Sequence, residues 1–164
     1  MEMKNTVSKT KNEIVITRYF HAPVEKVWEA WKNPEFMKNW WAPKECTTPH
    51  CKIDFRTGGR FHFCMRMNDG TEIWGLGIYL KIIKNELIEY DDSFADEKGN
   101  PVPPSYYGMS ESHPESSRVT VRFTENNGVT ELTLHHRINE GVAEREGMIQ
   151  GWSEMLDRLE SIVK

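Results

Sequence analysis

The C-terminal stretch constrains this chain most. From about Gly141 to Lys164, Ile149, Trp152, Leu156, Leu159 and Val163 recur at intervals of three and four, with Met148, Met155 and Ile162 widening one flank. Such spacing makes one side of a long helix apolar and obliges that side to be covered. Upstream, residues Cys46 to Phe94 and Val119 to His136 read as strands. Strands joined by tight turns form an antiparallel sheet, one face of which needs a cover, and the terminal helix is the element long enough to supply it. The expectation is an α+β fold: a curved antiparallel β-sheet wrapped around a long C-terminal α-helix.

The remaining text fills in the order of elements. Residues 1–12 are polar and aperiodic and read as a flexible lead-in, and residues 13–164 as a single domain. The β-branched and aromatic run Ile14-Val15-Ile16-Thr17-Arg18-Tyr19-Phe20 predicts a strand. Two short helices follow. Pro23 suits a first turn ahead of Val24, Val27, Trp28 and Trp31; Asn33-Pro34 then caps a second helix with Phe36, Met37, Trp40 and Trp41 on its apolar side. Turn residues cluster at Thr57-Gly58-Gly59, Asn68-Asp69-Gly70, Lys84-Asn85 and Asn126-Asn127-Gly128, and between the turns Phe61, Phe63, Met65 and Met67 alternate with polar neighbours. Residues 95–117 form a long loop rich in Pro, Gly and Ser, and loops of such length commonly carry function.

Charge and motif content remove several function classes. The net charge is −4 and the basic residues are scattered among acids, so no nucleic-acid partner is expected. No apolar run approaches the roughly 18 residues of a membrane span, and the N-terminus lacks the apolar stretch of an export signal, which predicts a cytoplasmic protein. Cys46, Cys51 and Cys64 are then free thiols. With His50 and His62 they match no recurrent zinc spacing, and neither G-x-S-x-G nor a phosphate loop is present, so neither metal nor other cofactor is expected.

Several of these residues together resemble a known family. Phe20-His21-Ala22-Pro23 with Val27-Trp28 and Trp31, then Pro34, Trp40-Trp41 and Pro43, then Asp54-Phe55-Arg56-Thr57-Gly58-Gly59, then Gly75, Gly77 and Tyr79, and finally Gly151-Trp152 with Leu156 and Leu159 are similar to the activator of heat-shock protein ATPase homologue family. That family belongs to the START-like, or SRPBCC, helix-grip superfamily. The resemblance implies a ligand cavity between sheet and terminal helix, and its expected occupant is a small hydrophobic or aromatic molecule bound without catalysis. Two alternatives stand beside it: an enzyme of cyclase or hydrolase-like kind in the same cavity, with His136 and Arg145 as its polar groups, and an interaction module acting on a chaperone.

The candidate ligand-binding residues are Trp40, Trp41, Phe63, Met65, Tyr106, Tyr107, His136, Arg145, Met148, Trp152 and Met155. Trp152, with Met148 and Met155 about one turn to either side, is expected as a helix wall opposite Phe63 and Met65, because Met and Trp give wide, adaptable apolar surface. His136 continues the inward alternation of Leu132 and Leu134. Arg145, in register with Ile149 and Trp152, is read either as snorkelling to water or as anchoring an acidic ligand. Tyr106 and Tyr107 are read as a lid over the opening, or as a local or homodimer contact. The adjacent acids Asp91 and Asp92 fall on opposite faces of a regular strand and are discounted as an acid–base pair.

Overall fold

The computed structural model describes residues 3–164. Thr6–Lys9, read from the sequence as part of the lead-in, forms strand β1 and pairs antiparallel with β2, Glu13–Phe20. All of β1 is exposed, so backbone pairing to an edge makes this strand, and no apolar alternation announces it. Along β2 every second residue, Ile14, Ile16, Arg18 and Phe20, is buried.

Helix α1, Val24–Lys32, buries Val27, Trp28, Ala30 and Trp31. Asn33 caps α2, Pro34–Met37: its side chain accepts from the Glu35 N–H at 2.9 Å, with Pro34 in the first turn. The helix ends before Trp40 and Trp41, which sit in the following turn. Strands β3 (Thr47–Ile53), β4 (Arg60–Arg66), β5 (Glu72–Ile83) and β6 (Leu87–Ala95) follow as a meander, then the two-residue β7 (Pro101–Val102), a 3₁₀ turn at Pro104–Tyr107, and the hairpin β8 (Ser116–Asn126) and β9 (Val129–Arg137). The hairpin turns on Asn127 and Gly128, both at positive φ (51° and 78°), the backbone that an Asn-Gly pair adopts at low cost.

All pairings are antiparallel, in the order β1-β2-β9-β8-β6-β5-β4-β3, with β7 attached to β6. Helix α3, Arg145–Val163, begins after Gly141 because residues 141–144 form turns. Three arginines tie α3 to the rest. Arg18 donates to Asp157 Oδ1 at 2.7 Å and the Ser153 carbonyl at 3.0 Å, Arg158 donates to the carbonyls of Ala42 and Cys46 at 2.7 and 3.1 Å, and Arg145 reaches the carbonyls of Thr10 and Glu13. No helix among the described residues is long and apolar enough to cross a membrane.

The two halves of α3 differ. Leu156, Leu159 and Val163 are fully packed in the core, whereas Gly147 is exposed and Met148 and Gly151 are half-buried. Below the first half, the sheet carries Gly75, where an added Cβ would stand 2.3 Å from the Phe63 ring. Glycine there leaves room for Phe63 on the inner face of the sheet.

Candidate functional site

A cavity of about 550 Å³ opens between the N-terminal half of α3 and strands β4, β5, β6, β8 and β9. Its volume lies within the roughly 300–1,000 Å³ typical of small-molecule sites. Trp41, Phe63, Met65, His136, Met148, Trp152 and Met155, all sequence candidates, share its wall. Trp152 stands edge-on to Trp41 at 5.4 Å and is stacked with Trp31 at 6.4 Å, so only part of its ring is available to the cavity.

Four candidates lie elsewhere. Trp40 is fully buried and its indole N–H donates to the Ala30 carbonyl at 2.9 Å, which makes it a brace between the short helices. Tyr107 closes the end of the β5–β6 pairing: its hydroxyl donates to the Ala95 carbonyl at 2.5 Å and accepts the Trp74 N–H at 3.2 Å. Tyr106 packs edge-on against Tyr107 at 4.9 Å and is largely exposed. The residues of the long loop that do border the cavity ahead of β8 are Met109, His113, Pro114 and Glu115, and this part is latched to the helix start where Ser110 donates its N–H (2.9 Å) and hydroxyl (3.0 Å) to Glu144. Arg145 is buried on the two carbonyls of the β1–β2 turn, away from the cavity wall, because it starts α3 instead of continuing its apolar stripe. It reaches neither bulk water nor the cavity.

The polar groups of the cavity come from three neighbouring strands. Inward positions of β6 run Ile88, Tyr90, Asp92, Phe94; those of β8 run Ser117, Val119, Val121, Phe123; those of β9 end on His136. Register sets Asp92 opposite Ser117 and Val119 opposite His136, so the polar side chains gather toward one end of the sheet. Asp91 faces outward and pairs with Arg118 at 3.2 Å. Asp92 faces the cavity, and burial, with no compensating partner, pushes its carboxyl up to about 7. Alternation could have found Asp92 and Ser117, since each occupies an inward slot in an otherwise apolar series.

His136 is fixed by chemistry at both ring nitrogens. The Trp152 indole N–H can only donate, and it meets His136 Nδ1 at 3.0 Å, so Nδ1 is the acceptor and the proton of the neutral ring sits on Nε2. Nε2–H then donates to Ser117 Oγ at 2.7 Å, leaving the serine hydroxyl proton free. Burial pushes His136 down to about 4, so it stays neutral at ordinary pH. This serine–histidine contact therefore runs opposite to that of a nucleophile and its base, in which the imidazole nitrogen must accept.

The sequence places His50 and His62 near cysteines, but both rings stack on Trp74, at 5.3 and 4.9 Å. Cys51 and Cys64 are buried, and burial pushes their thiols up to about 12 and 11, which keeps them protonated.

The geometry has close counterparts among solved structures. Protein Ms6760 from Mycobacterium smegmatis superposes with a TM-score of 0.80 at 24% identity over 98% of both chains. A protein from Arthrobacter aurescens gives 0.78 at 25% identity over 96% of this chain and 90% of its own. CalU16 from Micromonospora echinospora gives 0.66 at 20% identity over 98% of this chain and 85% of its own. No curated protein matches the chain. The model of the family described as activator of Hsp90 ATPase homolog 1-like protein matches residues 21–164, and with the sheet, helix and cavity as described the chain belongs to that family.

Proposed function

We propose that this protein binds a small apolar molecule in the cavity between its sheet and the first half of α3, without reaction. The observation that supports this reading most is the cavity itself: the inner face of the sheet is packed tightly under Leu156 and Leu159, yet opens to about 550 Å³ under Met148 and Trp152. A protein interior normally closes such space, because unfilled volume forfeits packing. The enzyme alternative relies on His136 and Arg145 as its polar groups, and His136 has its acceptor nitrogen engaged by Trp152 while Arg145 lies outside the cavity. The chaperone alternative needs a gathered apolar surface, and the large exposed apolar residues, among them Val7, Phe36, Ile83 and Ile162, come from separate elements.

Nile red fluorescence tests this reading. An added Cβ at Gly147 meets nothing within 4 Å among the described residues, so a large side chain there can occupy the opening without displacing the core. Wild-type protein should bind the dye saturably, and Gly147→Trp should abolish binding while the melting temperature holds or rises. Equal dye binding by both proteins would contradict the assignment.

A further inference from the structure

Of the side chains lining the cavity, Asp92, Glu115 and Glu144 are acidic and none is Lys or Arg among the described residues; its histidines are His136, held neutral by burial, and His113, whose Nδ1 meets the Pro114 carbonyl at 3.1 Å. Glu144 is engaged by Ser110 and Glu115 is exposed. Asp92 differs from both: it stands half-buried in the cavity wall, and neither a hydrogen bond nor a counter-charge compensates its carboxyl. Tyr90, two residues away on the same face, has a buried hydroxyl with no partner among the described residues. Opposite Asp92, Ser117 Oγ accepts the hydrogen bond of His136 Nε2–H and keeps a second lone pair. An apolar cavity with an uncompensated carboxyl in its wall lacks one complement, a cation.

We propose that the cavity selects a hydrophobic amine, its apolar body against Phe63, Met65, Met148 and Trp152 and its protonated amino group on the Asp92 carboxylate. A primary ammonium has three N–H donors and no acceptor. Asp92 and Ser117 offer acceptor oxygens at paired positions of one sheet face. A carboxylic acid of the same shape would bring a second negative charge to Asp92 with no Lys or Arg to receive it, so the wall rejects acids as it attracts amines. The inference rests on the reading of the cavity as a ligand site.

Calorimetric titration with naphthylmethylamine, naphthylmethanol and naphthoic acid, matched in ring and size, tests it at about pH 8, where Asp92 is ionised. On wild-type protein the amine should bind about tenfold or more tighter than the alcohol, as a charge-assisted hydrogen bond implies, with the acid weakest. In Asp92→Asn, checked for folding by near-ultraviolet circular dichroism, the amine's advantage over the alcohol should fall to within about twofold. An alcohol as tight as the amine on wild-type protein, or an amine advantage that survives Asp92→Asn, overturns the amine proposal and leaves the cavity a binding site. Failure of all three probes overturns both.

Discussion

Replacing Asp92 by Asn tests the electrostatics of the cavity without changing its shape. In the unfolded chain this carboxyl ionises near its ordinary 3.8, and in the fold burial holds the proton on until about 7. Between those values the folded protein keeps a proton the unfolded chain has released, so stability falls as pH rises through the window and is level on either side. The full difference corresponds to ~4 kcal/mol. Water entering the half-open cavity screens the charge, so about 2 kcal/mol is expected. Asn carries no charge at any pH. Asp92→Asn should therefore match wild type near pH 4 and exceed it by about 2 kcal/mol above pH 7, a rise of roughly 4–8 °C in melting temperature for a domain of this size. Urea denaturation of both proteins across this range reads the difference directly, and other titrating groups near the cavity largely cancel in it. A difference that is independent of pH, or a variant less stable than wild type at pH 8, would refute the reasoning.

Trp152→Phe keeps an aromatic ring but removes the donor to His136 Nδ1, leaving a buried acceptor unpaired; thermal or urea melts should show a loss of about 1–3 kcal/mol. Gly75→Ala places a Cβ against the far end of the Phe63 ring, which can yield only by swinging into the cavity. The stability cost should be about 1 kcal/mol, and Nile red affinity should fall, with Phe63→Leu in the same chain restoring stability. Arg145→Ala removes the clamp on the β1–β2 turn and should cost about 2–4 kcal/mol in denaturant melts. Its dye affinity should be unchanged, the reverse of what a ligand anchor would show.

Much of the sheet and helix was legible because their signals are periodic. Ile14, Ile16 and Phe20 on one strand, and Leu156, Leu159 and Val163 on the helix, announce their buried faces by spacing alone. The same spacing brought Phe63, Met65, Met148, Trp152 and Met155 to one cavity. Spacing alone puts Arg145 on the apolar stripe because a stripe extrapolated backward ignores where the helix begins, and the turn at 141–144 starts it on Arg145 itself. For the tyrosines, loop residues have no period, so composition leaves a lid and a local contact side by side, and of the two the structure shows local contacts, with Tyr107 capping strand ends and Tyr106 packed on it. Read only as half of an adjacent acid pair, Asp92 carries no signal, yet its neighbours Ile88, Tyr90 and Phe94 mark its position as inward. The Trp152–His136–Ser117 chain needs contacts across two strands and a helix, which one sequence does not encode locally.

The six tryptophans supply the most direct measurement of the central claim, that the space under α3 is a ligand site. Trp41, Trp74 and Trp152 border the cavity, while Trp28 and Trp40 are buried in the core away from it. In a nitrogen–proton correlation spectrum with assigned indole resonances, neutral naphthylmethanol should shift the Trp152 and Trp41 signals saturably and leave Trp28 and Trp40 in place. Absence of any saturable shift, or a largest shift at Trp28 or Trp40, would contradict the account.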